Sequence, residues 1–151
     1  MTKKEQEIVE QFIEQKGMEY QAEGLPRIAG RLMGLLLIEE GPFAFGELAE
    51  RLQVSRGSIS TNTRLLENLG VIERVSKPGK RGDFFQQSSE PYLSLLAGIN
   101  LRLNRALANA KQARDGLSKS RKKVQSRLAR LETFYQGFIE NNKRLIQSLE
   151  S

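Results

Sequence analysis

FGELAERLQVSRGSISTNTRLLENLG, residues 45–70, runs directly into VIERVSKPGKRGDFFQQ, residues 71–87, and the order of elements in this stretch decides the fold. Gly46 to Leu52 has helical spacing, with Leu48, Ala49 and Leu52 turned inward. Gln53-Val54-Ser55 makes a three-residue turn, and Ser55 is a good N-cap because its hydroxyl can accept from the free backbone N–H of Ser58. The spacing predicts a second helix from Arg56 to about Leu69, stopped by Gly70. Its inner face is Ile59, Leu66 and Leu69, with Asn62 or Thr63 filling the remaining turn. Val71 to Val75 alternates and is β-branched, 77–82 is a turn cluster, and Asp83 to Gln86 is extended again, so a hairpin follows. Helix, tight turn, helix and hairpin together predict a winged helix-turn-helix.

The outer face of the second helix points to a function. Arg56, Gly57, Ser58, Ser60, Thr61 and Arg64 are small or basic, and none is acidic, whereas a merely solvated face mixes Glu with Lys. A helix fits the major groove of B-DNA, where each base pair displays a distinct pattern of donors and acceptors. Sequence-specific binding to double-stranded DNA is therefore expected. Arg56 or Arg64 would read guanine, Ser58, Ser60 and Thr61 would make shorter contacts, and Ser55 would add a backbone contact to its capping role. Gly57 permits close approach at the helix N-terminus, where the dipole favours phosphate. The hairpin tip carries Lys77, Lys80 and Arg81, placed to reach the flanking minor groove or backbone. As a nucleotide loop the tip fails, because it lacks a strand-to-helix setting and a Gly-Lys-Ser/Thr ending.

Upstream, residues 4–21 place Ile8, Val9, Phe12 and Ile13 on one helical face. Gly24-Leu25-Pro26 breaks the chain, with Pro26 suited to open the next helix. That helix holds Ile28, Leu32, Leu35, Leu36 and Ile38 around much of its circumference and is expected at the buried centre. Gly30 and Gly34 on one side either admit another helix or are simply tolerated. Gly41-Pro42 ends the helix, and Phe43-Ala44-Phe45 is read as a short strand.

Charge divides the chain. Residues 1–50 hold five Lys/Arg against ten Asp/Glu, while the remainder holds nineteen against eight. One surface is thus expected to meet a polyanion, with the acidic segment facing elsewhere or pairing with basic helices. At 151 residues, one integrated unit is expected. There is no Cys and no His, which removes thiolate and imidazole metal sites and the usual general base. No metal, cofactor or enzymatic activity is expected. Absent Cys, an N-terminus without a signal-peptide pattern and no apolar run of membrane-spanning length lead to an expected cytoplasmic location.

Beyond Glu90-Pro91 the pattern is helical, with a break near Asp115-Gly116. Leu93, Leu96, Asn100, Leu103, Leu107 and Ala110 recur at spacings of three and four; so do Leu117, Arg121, Val124, Leu128, Leu131, Tyr135, Phe138, Asn142, Leu145 and Leu149. A sustained heptad implies a long packed seam. Its length favours a homodimer, with Asn100 and Asn142 either fixing register or lying near exposed helix ends. The expected organisation is a dimerisation helix at 1–23, the DNA-binding module at 24–88 and a helical dimerisation hairpin at 89–151. The fold class is mainly α with a small β-hairpin wing.

GLPRIAGRLMGLLLI (24–38), ELAERLQVSRGSIS (47–60) and PGKR (78–81) resemble the GbsR-like branch of the MarR superfamily of transcriptional regulators. The resemblance covers about residues 24–86 closely and the flanking helices in layout. It implies a homodimeric regulator, usually a repressor, of a pseudo-palindromic operator, in some cases responsive to a small effector. By that resemblance Ser55, Arg56, Ser58, Ser60, Thr61 and Arg64 take recognition-helix roles, and Lys80 and Arg81 take wing roles. The broader family's wing commonly carries an Asp-x-Arg pair, whereas here the basic pair precedes Asp83. Effector residues are not legible; aromatics such as Phe12, Tyr20, Tyr92 and Tyr135 would line a pocket or fill the core. Two other binding roles fit the same features: a protein-interaction winged helix, or a non-specific architectural DNA-binding protein using Lys119, Arg121, Lys122 and Lys123.

Overall fold

The computed structural model describes residues 1–151, which form two compact units, Met1–Pro91 and Tyr92–Ser151. In the first, helix α1 (Lys3–Ala22) begins at a reciprocal cap: Thr2 Oγ1 accepts from the Glu5 N–H at 3.1 Å, and Glu5 Oε2 accepts from the Thr2 N–H at 3.0 Å. Its buried face is Val9, Ile13 and Gly17, while Ile8 is exposed. Helix α2 (Arg27–Ile38) packs against it, and Pro26 is the N-cap just before the helix, with φ −61°. Gly30 and Gly34 are what bring the two helices together. A Cβ on Gly30 would lie 2.3 Å from the Lys16 carbonyl oxygen, and one on Gly34 would lie 3.2 Å from Ile13 Cα. Ile38, expected in the core, is instead exposed together with Leu37 at the end of α2.

Strand β1 is only Phe43–Ala44; Phe45, read as its last residue, opens α3 (Phe45–Leu52). The reason is local: Glu47 Oε1 accepts from the Ala44 N–H at 3.1 Å, so the helix can start at once. Gln53 ends α3 in the left-handed region at φ 56°, its side-chain amide donating to the Glu50 carbonyl at 2.7 Å. Helix α4 spans Arg56–Leu69 and stops at Gly70, φ 79°. Both Asn62 and Thr63 are buried beside Ile59 and Leu66, and Leu69 is only half-buried. Strands β2 (Ile72–Val75) and β3 (Phe84–Gln87) pair antiparallel, and β1 joins on the far side of β3, giving the order β1-β3-β2. Ile13, Leu32, Leu35, Leu48, Leu52, Ile59, Leu66 and Phe85 form the fully buried core, fixing α4 and the hairpin on one scaffold.

The second unit is an antiparallel pair, α5 (Pro91–Gly116, its first residue belonging to the other unit) and α6 (Lys122–Glu150). Leu117 and Arg121, assigned by the heptad pattern to the second helix, lie in the connection. Gln125 closes the turn, its Nε2 donating to the carbonyls of Arg114 at 2.9 Å and Leu117 at 3.1 Å. Asn142 Nδ2 donates to Asn100 Oδ1 at 2.8 Å, so these two residues fix register within the hairpin. The Arg114 guanidinium grips the buried Glu132 carboxylate through two nitrogens, one of them 3.0 Å from Oε1. That hydrogen-bonded guanidinium, outweighing burial and helped by the charges of Lys111 and Lys119, holds the Glu132 carboxyl below its ordinary range.

The seam drawn from the sequence is only partly the covered face. Its Asn142 is buried, but its Leu131, Phe138, Leu145 and Leu149 are exposed, as is Phe134, while the buried Glu132 and Ile139 lie outside it. Glu132 and Ile139 each follow an exposed seam residue, Leu131 and Phe138, by one position, so the spacing of three and four falls one position to the side of the buried face.

Candidate nucleic-acid interface

Helix α4 exposes one face because its buried residues share the other. Ile59, Asn62, Thr63 and Leu66 lie within a single arc; Arg56, Ser60 and Arg64 follow one another at steps of four in a column that starts beside that arc at Arg56 and reaches its opposite side, with Gly57 and Thr61, at Arg64. Arg56, Gly57, Thr61 and Arg64 are exposed and Ser60 is half-buried. Eight residues of helix separate the two arginines by about 12 Å along the axis. Ser58 lies at the edge of the arc, half-buried, its N–H donating to Ser55 Oγ at 3.1 Å. Ser55 itself is exposed and caps the helix, satisfying one of the N–H groups that the first turn of α4 leaves without a helical partner. Thr63 Oγ1 donates to the Ile59 carbonyl at 2.8 Å and Asn62 Nδ2 to the Ser58 carbonyl at 2.8 Å. Both buried polar side chains are thereby turned onto their own helix, although Asn62 Oδ1 has no hydrogen-bond partner.

The wing stands next to this face. Ala44, Gly46, Arg56, Ser60, Arg81 and Asp83 help line an open groove of about 490 Å³ between the start of α3, α4 and the base of the wing. Gly46 contributes by what it lacks: a Cβ there would sit 3.0 Å from a terminal nitrogen of Arg56. Lys80 and Arg81 are exposed at the hairpin tip, where Gly79 and Gly82 take φ of 75° and 85°. Lys77 is half-buried, its ammonium 4.8 Å from the centre of the Phe84 ring.

Arg74 does not stand out in the sequence, yet it ties the wing to α4. Its guanidinium bonds Glu67 of α4 at 3.0 Å and Asp83 of the opposite arm at 2.9 Å, and lies 5.3 Å from the Phe85 ring centre. The hydrogen bond to Glu67, together with both carboxylate charges, raises the Arg74 pKa against the opposing effect of desolvation. Asp83, the acid that departs from the family's usual wing order, is thus engaged by Arg74. The acidic N-terminal segment is engaged too: Glu14 pairs with Arg27 and Arg31, and Glu10 with Arg51, which also holds Glu39. These pairs involve arginines of α2 and α3 and leave the α4 face open.

A helix-turn-helix followed by a small three-stranded sheet, with a basic outer face on α4, is the winged-helix architecture. The profile of the MarR family matches residues 23–82, the helix-turn-helix and most of the wing. It is 42% identical over 83 residues to the HTH-type transcriptional regulator MmpR5 of Mycobacterium tuberculosis, an alignment covering 54% of this chain and 50% of that protein. The chain therefore spans half the length of that relative. It is 27% identical over 143 residues to the HTH-type transcriptional repressor OpcR of Bacillus subtilis, covering 85% of this chain and 76% of the repressor. A crystal structure described as a transcriptional regulator superposes with a TM-score of 0.84 at 25% identity, over 94% of this chain and 97% of that one. No helix is long and apolar enough to cross a membrane.

Proposed function

We propose that the chain is a sequence-specific double-stranded-DNA-binding regulator of transcription, acting in the cytoplasm as a homodimeric repressor of a pseudo-palindromic operator, and that it belongs to the GbsR-like branch. The observation that carries this is the column Arg56, Ser60 and Arg64: none of the three is acidic, and it runs from beside the buried arc of α4 to the side opposite, where Gly57 and Thr61 are exposed. A helix presented this way can place two guanidinium groups at base edges, each able to bond guanine O6 and N7 together. Ser55, Gly57, Ser58 and Thr61 would serve the nearby backbone or bases, and Lys80 and Arg81 the flanking phosphates or minor groove, with Lys77 nearer the wing stem. Dimerisation is supported by the uncovered apolar stripe of α6 and by Ile8 and Met18 left exposed on α1. Repression is supported by the likeness to the Bacillus repressor. A small-molecule effector remains part of the proposal without assigned residues.

Titration of a selected duplex against a mixed-sequence duplex at physiological salt tests the reading. Preference for the selected duplex by about 10³-fold or more is expected. A ratio near one would favour a winged helix that serves protein assembly.

A further inference from the structure

Between Arg102 and Arg130 the α5–α6 hairpin carries ten Lys/Arg and a single acid, Asp115. Arg114 is bound to Glu132; the other nine cations are all exposed. Six of them, Lys119, Arg121, Lys122, Lys123, Arg127 and Arg130, crowd the connection and the first turns of α6. The placement works against the helix itself. The first turn of α6 contains no acidic residue and no side-chain cap, so Lys122 and Lys123 face the positive end of the macrodipole. Local conflict of this kind is retained where a surface has a function other than folding.

The nature of the counter-charge can be narrowed. The chain's own acidic helix is a weaker candidate, because three of its five acids, Glu10, Glu14 and Glu19, already pair with Arg51, Arg27, Arg31 and Lys16 within the first unit. A bilayer is disfavoured because the six cations at the connection have no exposed large apolar side chain among them, and the apolar stripe that begins at Leu131 is assigned above to the dimer contact. A duplex suits the patch: its backbone carries one negative charge per about 1.7 Å, and binding through phosphates requires cations without apolar anchors.

We propose that the tip of the α5–α6 hairpin is a second DNA-contacting surface, binding duplex phosphates without regard to sequence and separately from α4 and the wing. The choice of duplex DNA among polyanions rests on the proposed function above. Such a surface would hold the regulator on non-specific DNA, raising its local concentration near the sites that α4 reads.

Fluorescence anisotropy of the full chain with a mixed-sequence duplex, across a salt series, tests this. The variant Lys119→Gln/Arg121→Gln/Lys122→Gln/Lys123→Gln should bind mixed sequence at least about tenfold more weakly at low salt. Its log–log salt slope should flatten by about 0.9 for each phosphate no longer neutralised. Its ratio of selected to mixed-sequence affinity should not fall. Arg56→Ala/Arg64→Ala should do the reverse, losing the ratio while keeping most mixed-sequence binding. Should the fourfold variant unfold, Lys122→Gln/Lys123→Gln serves instead; it relieves the first turn of α6 and should melt no lower than wild type, with the same direction of change in slope. Unchanged affinity and slope would overturn the proposal, as would equally tight wild-type binding to phosphatidylserine vesicles or polyglutamate. If wild type shows no preference for any selected duplex, the proposed function fails on its own, and the slope comparison still decides the hairpin.

Discussion

Arg64 stands on the open face of α4, two turns beyond Arg56, and the nearest acid on its helix, Glu67, is already bonded to Arg74. Its guanidinium therefore remains available for a base or phosphate. Arg64→Ala is expected to cost about 1–3 kcal/mol at the cognate duplex and to relax base preference at one position. A loss of affinity shared equally by all sequences would make Arg64 a phosphate ligand instead. Gly30 shows the opposite kind of residue, one whose absent side chain is its contribution. Gly30→Ala would push a methyl group into the Lys16 carbonyl at 2.3 Å, which a backbone atom cannot yield to. Destabilisation of at least about 1–3 kcal/mol is expected in urea unfolding, because α1 and α2 must separate. These two residues also mark what was legible in the chain. The basic column was visible because helical spacing alone sorts its faces, while the glycine pair needed the position of α1 to be understood. Arg74 was invisible for a related reason: an arginine in a strand becomes a clamp only once register brings Glu67 and Asp83 to it.

Among elements, the wing and the hairpin make separate claims. Arg74, Asp83 and Glu67 fix the wing beside α4, so Lys80 and Arg81 project from a braced tip. Replacing Lys80 and Arg81 together with Gln should weaken binding to all sequences and lower the salt slope by about one for each phosphate left without its cation. An unaltered slope would take the wing out of the interface. In the hairpin, Arg114 lowers the Glu132 carboxyl pKa, so Glu132 binds its proton less readily folded than unfolded. Its contribution to stability is therefore present above the ordinary carboxylate range and lost as pH falls through the depressed folded value. Acid unfolding followed by circular dichroism should show a shallower acid limb for Glu132→Gln than for wild type, and identical limbs would contradict this. The strands were legible to within one residue because β-branched alternation and the Gly-rich tip bracket them. The α6 faces were not, since apolar residues occupy adjacent heptad positions and only the packing of α5 shows which set it covers.

For the whole molecule, the outstanding feature is apolar surface left uncovered on α6: Phe134 is 59% exposed, and Leu131, Phe138, Leu145 and Leu149 continue the stripe. A homodimer would bury it and would bring two α4 helices into one molecule, which a palindromic operator requires. Sedimentation of wild type at micromolar concentration should give a dimer, and Phe138→Asp/Leu145→Asp should shift it to monomer while leaving helical content intact. A wild-type monomer would remove this basis for two-fold reading. Selection of bound duplexes from a random pool examines the central claim most directly, because it reports sequence preference and dimeric geometry in one result. Enrichment of an inverted repeat whose half-sites lie about one helical turn, roughly 34–36 Å, apart is expected. A bound pool no different in sequence from the starting pool would contradict sequence-specific reading by α4.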